Sequence, residues 1–379
     1  MKSTGEIFRV LQIIPRLDMG GAERGTIELA AYLNKKNVGS FVVSAGGNLV
    51  PLLIKQGTVH QSIPVDSKNP LVIFLNIFRL RKFIRTHNID LVDVRSRAPA
   101  WSTYFAIRKT KAKMIATFHG LYSHQNFLKK FYNKIMTKGS LIVAVSHFIS
   151  AHIKEIYKIH PKKIVLIPRG VDLTIFAPDK VPQRRLEALI QNLQIPEDQF
   201  VIFVPGRLSR PKGHEVLLEA LSYLKNKEYI CLFVGKSKNE SYRKELEEQA
   251  EIYGIRDKLF IKENCLDMPA LYKLATVTVS PSTWPESFGR TMAEAGAMGC
   301  PVIASNQGGV KEIVIHGETG YLFPTEDTRV LAEYIDKILG LTKAERESMG
   351  RKSIEHIQKK FSNKQMFDKT LQAYKNALA

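Results

Sequence analysis

Short apolar runs alternate with amphipathic, helix-like stretches along almost the whole chain, and this alternation leaves few folds open. In the first half the strand-like runs are Phe8–Pro15, Phe41–Ala45, Ile89–Val94, Lys113–Phe118, Leu141–Val145 and Ile164–Pro168. Helical periodicity fills the intervals over 22–36, 70–87, 98–109, 127–138 and 147–157. The second half repeats the scheme, with runs at Phe200–Val204, Tyr229–Val234, Leu259–Ile261, Val277–Ser280, Val302–Ala304 and Tyr321–Phe323. Helical stretches follow over 213–223, 240–253, 268–274, 287–298 and 328–339, and two more, 343–359 and 363–379, end the chain. Runs that are apolar at successive positions belong to strands covered on both faces, which means parallel sheets with crossover helices. The expectation is an α/β chain of two doubly wound domains, 1–177 and 178–358, facing a central cleft. A linker at 177–183 carries Pro178 and Pro182, and a helix over 359–379 is expected to pack back toward the first domain. Ligands of such sheets bind beyond the carboxyl ends of the strands.

Charge narrows the partners. The 379 residues carry a formal net charge of +20. Residues 1–177 hold 27 Lys and Arg against 9 Asp and Glu, a balance of +18, which leaves +2 for the rest. Charge gathered on one domain points to an anionic partner there: a membrane surface, nucleic acid or a phosphorylated substrate. Two segments of that domain, 76–85 and 127–136, mix cations with apolar residues and suit an anionic interface; equally, their apolar faces can be core and their cations solvated. With 44% hydrophobic and 24% charged residues the chain reads as globular. The cysteines, Cys231, Cys265 and Cys300, form no CxxC, so neither a zinc ribbon nor a disulfide framework is expected, and a reducing compartment fits. No secretory leader is visible. The longest apolar run, Leu71–Phe78, is broken by Asn76 and falls far short of the ~20 residues that span a bilayer.

Several loops are placed to do chemistry. Gly206 and Arg207 follow a strand, and Lys212 lies five residues after Arg207; two such cations can straddle a diphosphate, or simply form a basic surface turn. Pro285-Glu286-Ser287-Phe288-Gly289-Arg290 leads toward Glu294, with Ser287 placed to cap a helix whose N-terminus attracts phosphate. Gly308-Gly309 permits close backbone approach, or a plain turn. Gly20-Gly21 opens a helix after the first strand and can cradle an anion. His119 ends a strand where a side chain can reach the cleft, and Arg95 and Arg97 follow another, available to acceptor phosphate or acidic sugar or else structural.

Other chemistries fail on spacing. Gly235-Lys236-Ser237 lacks the earlier glycine of a P-loop, that position being Ile230, and no GxGxxG occurs. There is no DxD pair for a metal-diphosphate site. His119/His124 and His147/His152 are five apart, poor spacing for two ligands on one helix face. Glu286 and Glu294 on one helix would stand ~12 Å apart, beyond the ~5–9.5 Å of glycosidase carboxylates.

Taken together the chain resembles the retaining GT-B glycosyltransferases of family GT4, two Rossmann-like domains facing a cleft, and in particular a bacterial envelope-polysaccharide or lipopolysaccharide-core branch. The matching stretches are GGAE at 20–23, FHG at 118–120, IPRGVDLTIF at 167–176, GRLSRPKG at 206–213, PESFGRTMAEAGAMGCPVIAS at 285–305 and GETGYLF at 317–323. SRAPAW at 96–101 and SHFISAHI at 146–153 carry the branch assignment. The resemblance implies that Arg207 and Lys212 bind the donor diphosphate, with Gly206 in the same turn. It further implies that Glu294 bonds the nucleotide ribose and that Glu286, beside Ser287, Phe288 and Gly289, contacts the donor sugar. Gly308 and Gly309 would lie against donor sugar or phosphate, Gly20 and Gly21 would close over the diphosphate, and His119 would stand near the reacting sugar and acceptor. Neither cofactor nor metal is expected, cations and helix dipoles taking the metal's place. Asn306-Gln307 departs from the acidic or small residues common before the glycine pair.

The implied activity is transfer of a sugar from a UDP- or GDP-sugar, with retention, to a lipid-linked or polysaccharide acceptor. The implied location is cytoplasmic, peripheral on the inner face of the membrane, with an anionic membrane surface as partner and no nucleic acid. An epimerase or phosphorylase of the same fold, and a non-enzymatic binder of anionic polymers, are the alternatives. Glu286, Glu294 and the Gly20-Gly21 pair argue against the epimerase; the want of a pyridoxal-phosphate lysine motif argues against the phosphorylase. No basic–aromatic nucleic-acid motif is evident.

Overall fold

The computed structural model describes residues 8–379 except 19, 124–125, 197, 238 and 264–266. His124 and Cys265, considered above as ligands, therefore lie outside the described residues, as does the start of the chain. Two compact units emerge: unit 1 is Met1–Pro168 with Met366–Ala379, and unit 2 is Arg169–Gln365. The sequence reading set the first boundary at 177/178; the chain changes unit at 168/169 because Val171 already pairs with Ser362 of unit 2. The expected linker holds a 3-10 turn at Pro178–Lys180 and runs into a helix from Gln183.

In unit 1 the strands are β1 (Arg9–Ile13), β2 (Gly39–Ser44), β3 (Val59–Ser62), β4 (Leu91–Val94), β5 (Lys113–Phe118), β6 (Leu141–Ala144) and β7 (Ile164–Leu166). All pair in parallel, in the order β3-β2-β1-β4-β5-β6-β7. The helices are α1 (Gly21–Lys35), α2 (Val50–Lys55), α3 (Pro70–Thr86), α4 (Arg97–Ile107), α5 (Phe127–Lys134) and α6 (His147–Tyr157). β3, an exposed edge strand of sequence VHQS, carried no apolar signal and was not anticipated, nor was α2 beside it.

Unit 2 contains α7 (Gln183–Leu193), β8 (Phe200–Pro205), α8 (His214–Ser222), β9 (Tyr229–Val234), α9 (Glu240–Ile252), β10 (Leu259–Lys262) and α10 (Met268–Leu274). It continues with β11 (Val277–Ser280), α11 (Arg290–Ala297), β12 (Val302–Ser305), β13 (Gly320–Phe323), α12 (Thr328–Leu339) and α13 (Lys343–Lys360). Its sheet is again parallel, ordered β10-β9-β8-β11-β12-β13. Both sheets are buried on two sides; in unit 2 Phe203 and Met292 belong to one core cluster, Phe233 and Ile335 to the other. That double burial is why the strands read as continuous apolar runs.

The strand order reverses between β1 and β4 in unit 1 and between β8 and β11 in unit 2. At such switch points the loops leaving the two central strands diverge to opposite faces and open a crevice at their carboxyl ends. In unit 2 the crevice is bounded by Gly206–Lys212 after β8 and by Ser280–Glu286 at the end of β11.

The last helix, α14 (Asn363–Leu378), returns the chain to unit 1. Phe367, Ala373 and Tyr374 join the unit 1 core beside Val10, Leu91 and Ile115. The fully buried Tyr374 hydroxyl donates to Asp93 Oδ2 at 2.8 Å, inside β4.

Candidate functional site

The densest polar arrangement in the unit 2 crevice is built around Glu286. Its carboxylate oxygen Oε1 accepts from Lys212 Nζ at 2.7 Å, Ser282 Oγ at 3.0 Å and Ser280 Oγ at 3.3 Å. Ser280 and Ser282 are two apart at the end of β11, a spacing that turns both hydroxyls the same way. Burial works against the charged carboxylate, but the Lys212 ammonium and the two hydroxyls outweigh it, and the Glu286 pKa lies below its ordinary value. Glu286 is thus an ionised acceptor at neutral pH. One Lys212 proton is engaged here, and an ammonium has three, so two remain to meet an anion.

Arg207 stands exposed on the same loop, with no side-chain hydrogen bond or ion pair recorded among the described residues. Gly206, at φ +136°, turns the chain so that Arg207 and Lys212 leave β8 together. Beyond the crevice, Glu294 is buried on α11 and held at both oxygens: Arg290 Nε donates to Oε1 at 2.7 Å and Tyr272 Oη to Oε2 at 3.1 Å. Burial first, and the Glu294 charge second, push the Tyr272 phenol well above its usual pKa, so it stays a donor. Each carboxylate oxygen still has a lone pair to offer a hydroxyl.

One expectation for this loop is corrected. Ser287 does not cap the helix: α11 begins at Arg290, and its N-cap is Gly289, at φ +94°. A left-handed cap suits glycine, and a Cβ there would press Val310 Cγ2 at 2.7 Å. Glu286 therefore precedes the helix rather than sharing it with Glu294. Gly308 and Gly309 pack against the same loop. Cβ atoms at these positions would fall 2.4 Å from the Glu286 carbonyl oxygen and 2.6 Å from that of Ser287. Gly309 N–H donates to Glu286 O at 2.7 Å. The missing side chains let the two loops touch, which fixes the backbone that carries Glu286; Phe288 behind it is buried in the core.

Unit 1 places its residues differently. Arg95 is buried: Nε lies 3.1 Å from Asp93 Oδ2 and NH1 3.1 Å from Thr26 Oγ1. It belongs to the network closed by Thr117 and Tyr374 on the same Asp93, and is not presented to an acceptor. Arg97 is half-exposed; it donates to Asn133 Oδ1 at 3.1 Å and its guanidinium lies 4.5 Å from the Tyr122 ring centroid. His119, half-exposed, follows directly on β5. Gly20 is the extended N-cap of α1, and the Glu23 carboxylate folds back beside it, where a Cβ would meet Oε2 at 2.2 Å.

Sequence reasoning missed Ser280, Ser282, Tyr272 and Arg290. The serines had a readable signal, two hydroxyls at the carboxyl end of a strand six and four residues before a glutamate. Tyr272 had none, since only packing brings α10 against α11. Among the described residues no three His, Cys, Asp or Glu side chains group as a metal site. A separate groove of about 690 Å³ runs beside edge strand β10, with Arg185 and Arg243 in its wall. Both arginines are neutralised there, by Asp267 and by Glu247 with Glu263, and the groove shares no lining residue with the site.

Two parallel, doubly wound units, one carrying Arg207, Lys212 and Glu286 at its switch point, are the architecture of the GT-B fold. The comparisons are specific: residues 19–175 match the model for Glycosyltransferase Family 4 and residues 186–356 that for Glycosyl transferases group 1. The chain belongs to the GT-B glycosyltransferases of family 4. It is 38% identical to a glycosyltransferase of Rickettsia africae ESF-5 whose crystal structure covers 98% of each chain at a TM-score of 0.92. It is 26% identical to the capsular polysaccharide biosynthesis glycosyltransferase CapM of Staphylococcus aureus over 94% of this chain and 93% of that one. Anabaena Alr3699/HepE, solved in complex with UDP and glucose, shares the fold at a TM-score of 0.86, with 20% identity over 97% of this chain and all of that one. With the D-inositol 3-phosphate glycosyltransferase of Thermobifida fusca, 31% identical over 60% of this chain, it spans about half of the relative's length, 53%.

Proposed function

We propose that this glycosyltransferase uses a UDP- or GDP-sugar bound in the unit 2 crevice and transfers the sugar, with retention, to a saccharide acceptor on unit 1, lipid-linked or part of an envelope polysaccharide. The observation that carries the reading is the Lys212–Glu286 pair at the β8/β11 switch point, with the exposed Arg207 beside it. Arg207 and the two free Lys212 protons bind the donor diphosphate. Glu286, ionised and held by three donors, accepts from a hydroxyl of the donor sugar. Glu294 accepts from the ribose. The C1–O bond to the diphosphate breaks with its electron pair leaving on phosphate; the acceptor oxygen bonds C1 from the same face, and its proton passes to a leaving phosphate oxygen. Preorganised cations favour this step because negative charge grows on the diphosphate as it departs, so neither metal nor cofactor is required in this reading. His119 and Arg97 are assigned to the acceptor side. UDP in the Anabaena neighbour and the capsular role of the S. aureus relative support the donor and acceptor classes. We place the reaction at the inner face of the cytoplasmic membrane.

The test is a thermal shift against a panel of UDP- and GDP-sugars without added metal. Donor at a hundredfold excess over Kd adds ~2.7 kcal/mol to apparent stability. One donor should shift the wild type, and Arg207→Ala should lose the shift while melting at the same temperature, because Arg207 is exposed. A shift that survives in Arg207→Ala, or none with any donor, rejects the reading.

A further inference from the structure

The turn that carries Lys212 is fastened at each of its residues. Arg210–Lys212 form a single 3-10 turn between β8 and α8. Its own closure is slight: Lys212 N–H donates to Ser209 O at 2.8 Å and Gly213 N–H to Arg210 O at 2.9 Å. So short a turn has little stability of its own, and its orientation is set by what it is attached to. Lys212 Nζ meets Glu286 Oε1 at 2.7 Å. The Pro211 carbonyl accepts from Thr283 N–H at 3.1 Å and Trp284 N–H at 3.5 Å, in the loop that leads from β11 to Glu286. Arg210 reaches α8 and α9 instead.

The Arg210 side chain is 66% exposed, so it does not serve the core, yet it has three partners. NH1 donates to Glu215 Oε1 of α8 at 2.7 Å, and NH2 donates to Glu245 Oε2 of α9. The guanidinium lies 5.1 Å from the ring centroid of Tyr242, also on α9. Tyr242 is buried and meets the buried His214 ring edge to face at 6.3 Å, so the surface beneath the guanidinium is itself fixed. A planar fork can hold two carboxylates and stack on a ring at once, which an ammonium cannot.

A third cation beside Arg207 and Lys212 can act in two ways: by adding its charge to a bound anion, or by holding the turn. The carboxylates decide between them. Both ends of the guanidinium are taken by Glu215 and Glu245. Two carboxylates against one guanidinium leave the group net negative, and such a group does not recruit a diphosphate. We propose that Arg210 is a positioning residue of the donor site: by bridging Glu215 and Glu245 it fixes the turn, and the turn holds Lys212 against Glu286, ready for the diphosphate. The proposal deepens the glycosyl-transfer reading and rests on it for the ligand alone.

The test compares the full chain with Arg210→Ala, Arg210→Lys and the double variant E215Q/E245Q. UDP and GDP are the probes, titrated by calorimetry. Arg210→Ala should weaken diphosphate binding about fivefold, the worth of two exposed ion pairs of ordinary strength, and Arg210→Lys should fall between it and the wild type. E215Q/E245Q gives the deciding sign. It removes two negative charges and frees Arg210, so a cation acting by its charge would bind the probe more tightly; an anchor that has lost its attachments leaves binding about fivefold weaker. The second readout needs no ligand: the coupling of Lys212 with Glu286, from a double-mutant cycle of Lys212→Met and Glu286→Gln in urea, should fall by about half or more in both the Arg210→Ala and E215Q/E245Q backgrounds. All the backgrounds should melt near the wild type, since exposed pairs contribute little to global stability. Tighter probe binding by E215Q/E245Q overturns the proposal, as does a coupling unchanged in both backgrounds or probe binding unchanged in Arg210→Ala. If the wild type binds neither diphosphate, the donor reading fails, and the coupling alone decides for or against Arg210.

Discussion

Exchanging Lys212 for Met and Glu286 for Gln, singly and together, measures the central contact of the crevice. Two unit charges about 4 Å apart attract by ~4 kcal/mol at the effective dielectric of ~20 found near protein surfaces. The pair here is 2.7 Å from nitrogen to oxygen, yet its side chains keep 28% and 17% of their exposure. Part of the attraction is therefore offset by desolvation and by the water each partner regains when alone. A coupling of about 1–2 kcal/mol remains as the expectation. The two single changes should not cost the same. Lys212→Met strands a carboxylate that only Ser280 and Ser282 then support, and should destabilise by ~2 kcal/mol. Glu286→Gln releases an ammonium that rehydrates, and should cost ~1 kcal/mol. The double variant should resemble Lys212→Met alone. Urea unfolding at neutral pH gives all three values. The Glu286 pKa is lowered in the folded chain, so the pair's contribution is present above the ordinary carboxylate pKa and disappears as pH falls through the folded value. A coupling within ~0.3 kcal/mol of zero at neutral pH, or one that persists in acid, refutes the reasoning.

Two further outcomes follow from buried groups. His214 is fully buried between Phe233 and Tyr242, and burial, with Lys212 nearby, pushes its pKa down to about 4. The unfolded chain takes up a proton below ~6.5 that the folded chain refuses, so stability should decline by ~3 kcal/mol as pH falls from ~6.5 to ~4; His214→Phe should remove that part of the pH profile in denaturant titrations. Tyr374→Phe deprives Asp93 of one donor inside unit 1 and should cost about 1–3 kcal/mol. A change below ~0.5 kcal/mol in urea unfolding would mean that this hydroxyl does not fix α14.

How much of this was legible in the sequence depends on the range of the forces involved. The parallel sheets were readable because burial on both faces makes every residue of a strand such as β9, YICLFV, apolar. The helices were readable through their period, and Arg207, Lys212, Glu286 and Glu294 through motifs fixed by local spacing. Local spacing also misled. Ser287 precedes a helix as a cap should, but the cap is Gly289, at positive φ and with Val310 of another loop leaving no room for a Cβ, so the helix starts at Arg290. Arg95 follows a strand as a ligand-binding arginine can, yet Asp93 two residues earlier and Thr26 on α1 hold it inside. That the glycine pair packs against the Glu286 backbone was not legible, because chain order says nothing of which loops touch. What only the tertiary structure decided are pairings between distant segments. Lys212 with Glu286, Tyr272 with Glu294, and Tyr374 with Asp93, 281 positions apart in the chain, are set by strand order and helix packing. The sequence by itself determined the elements and the chemistry they carry, because propensity, period and burial act over a few residues. The partners were left to the fold, because no local signal records which strand lies beside which.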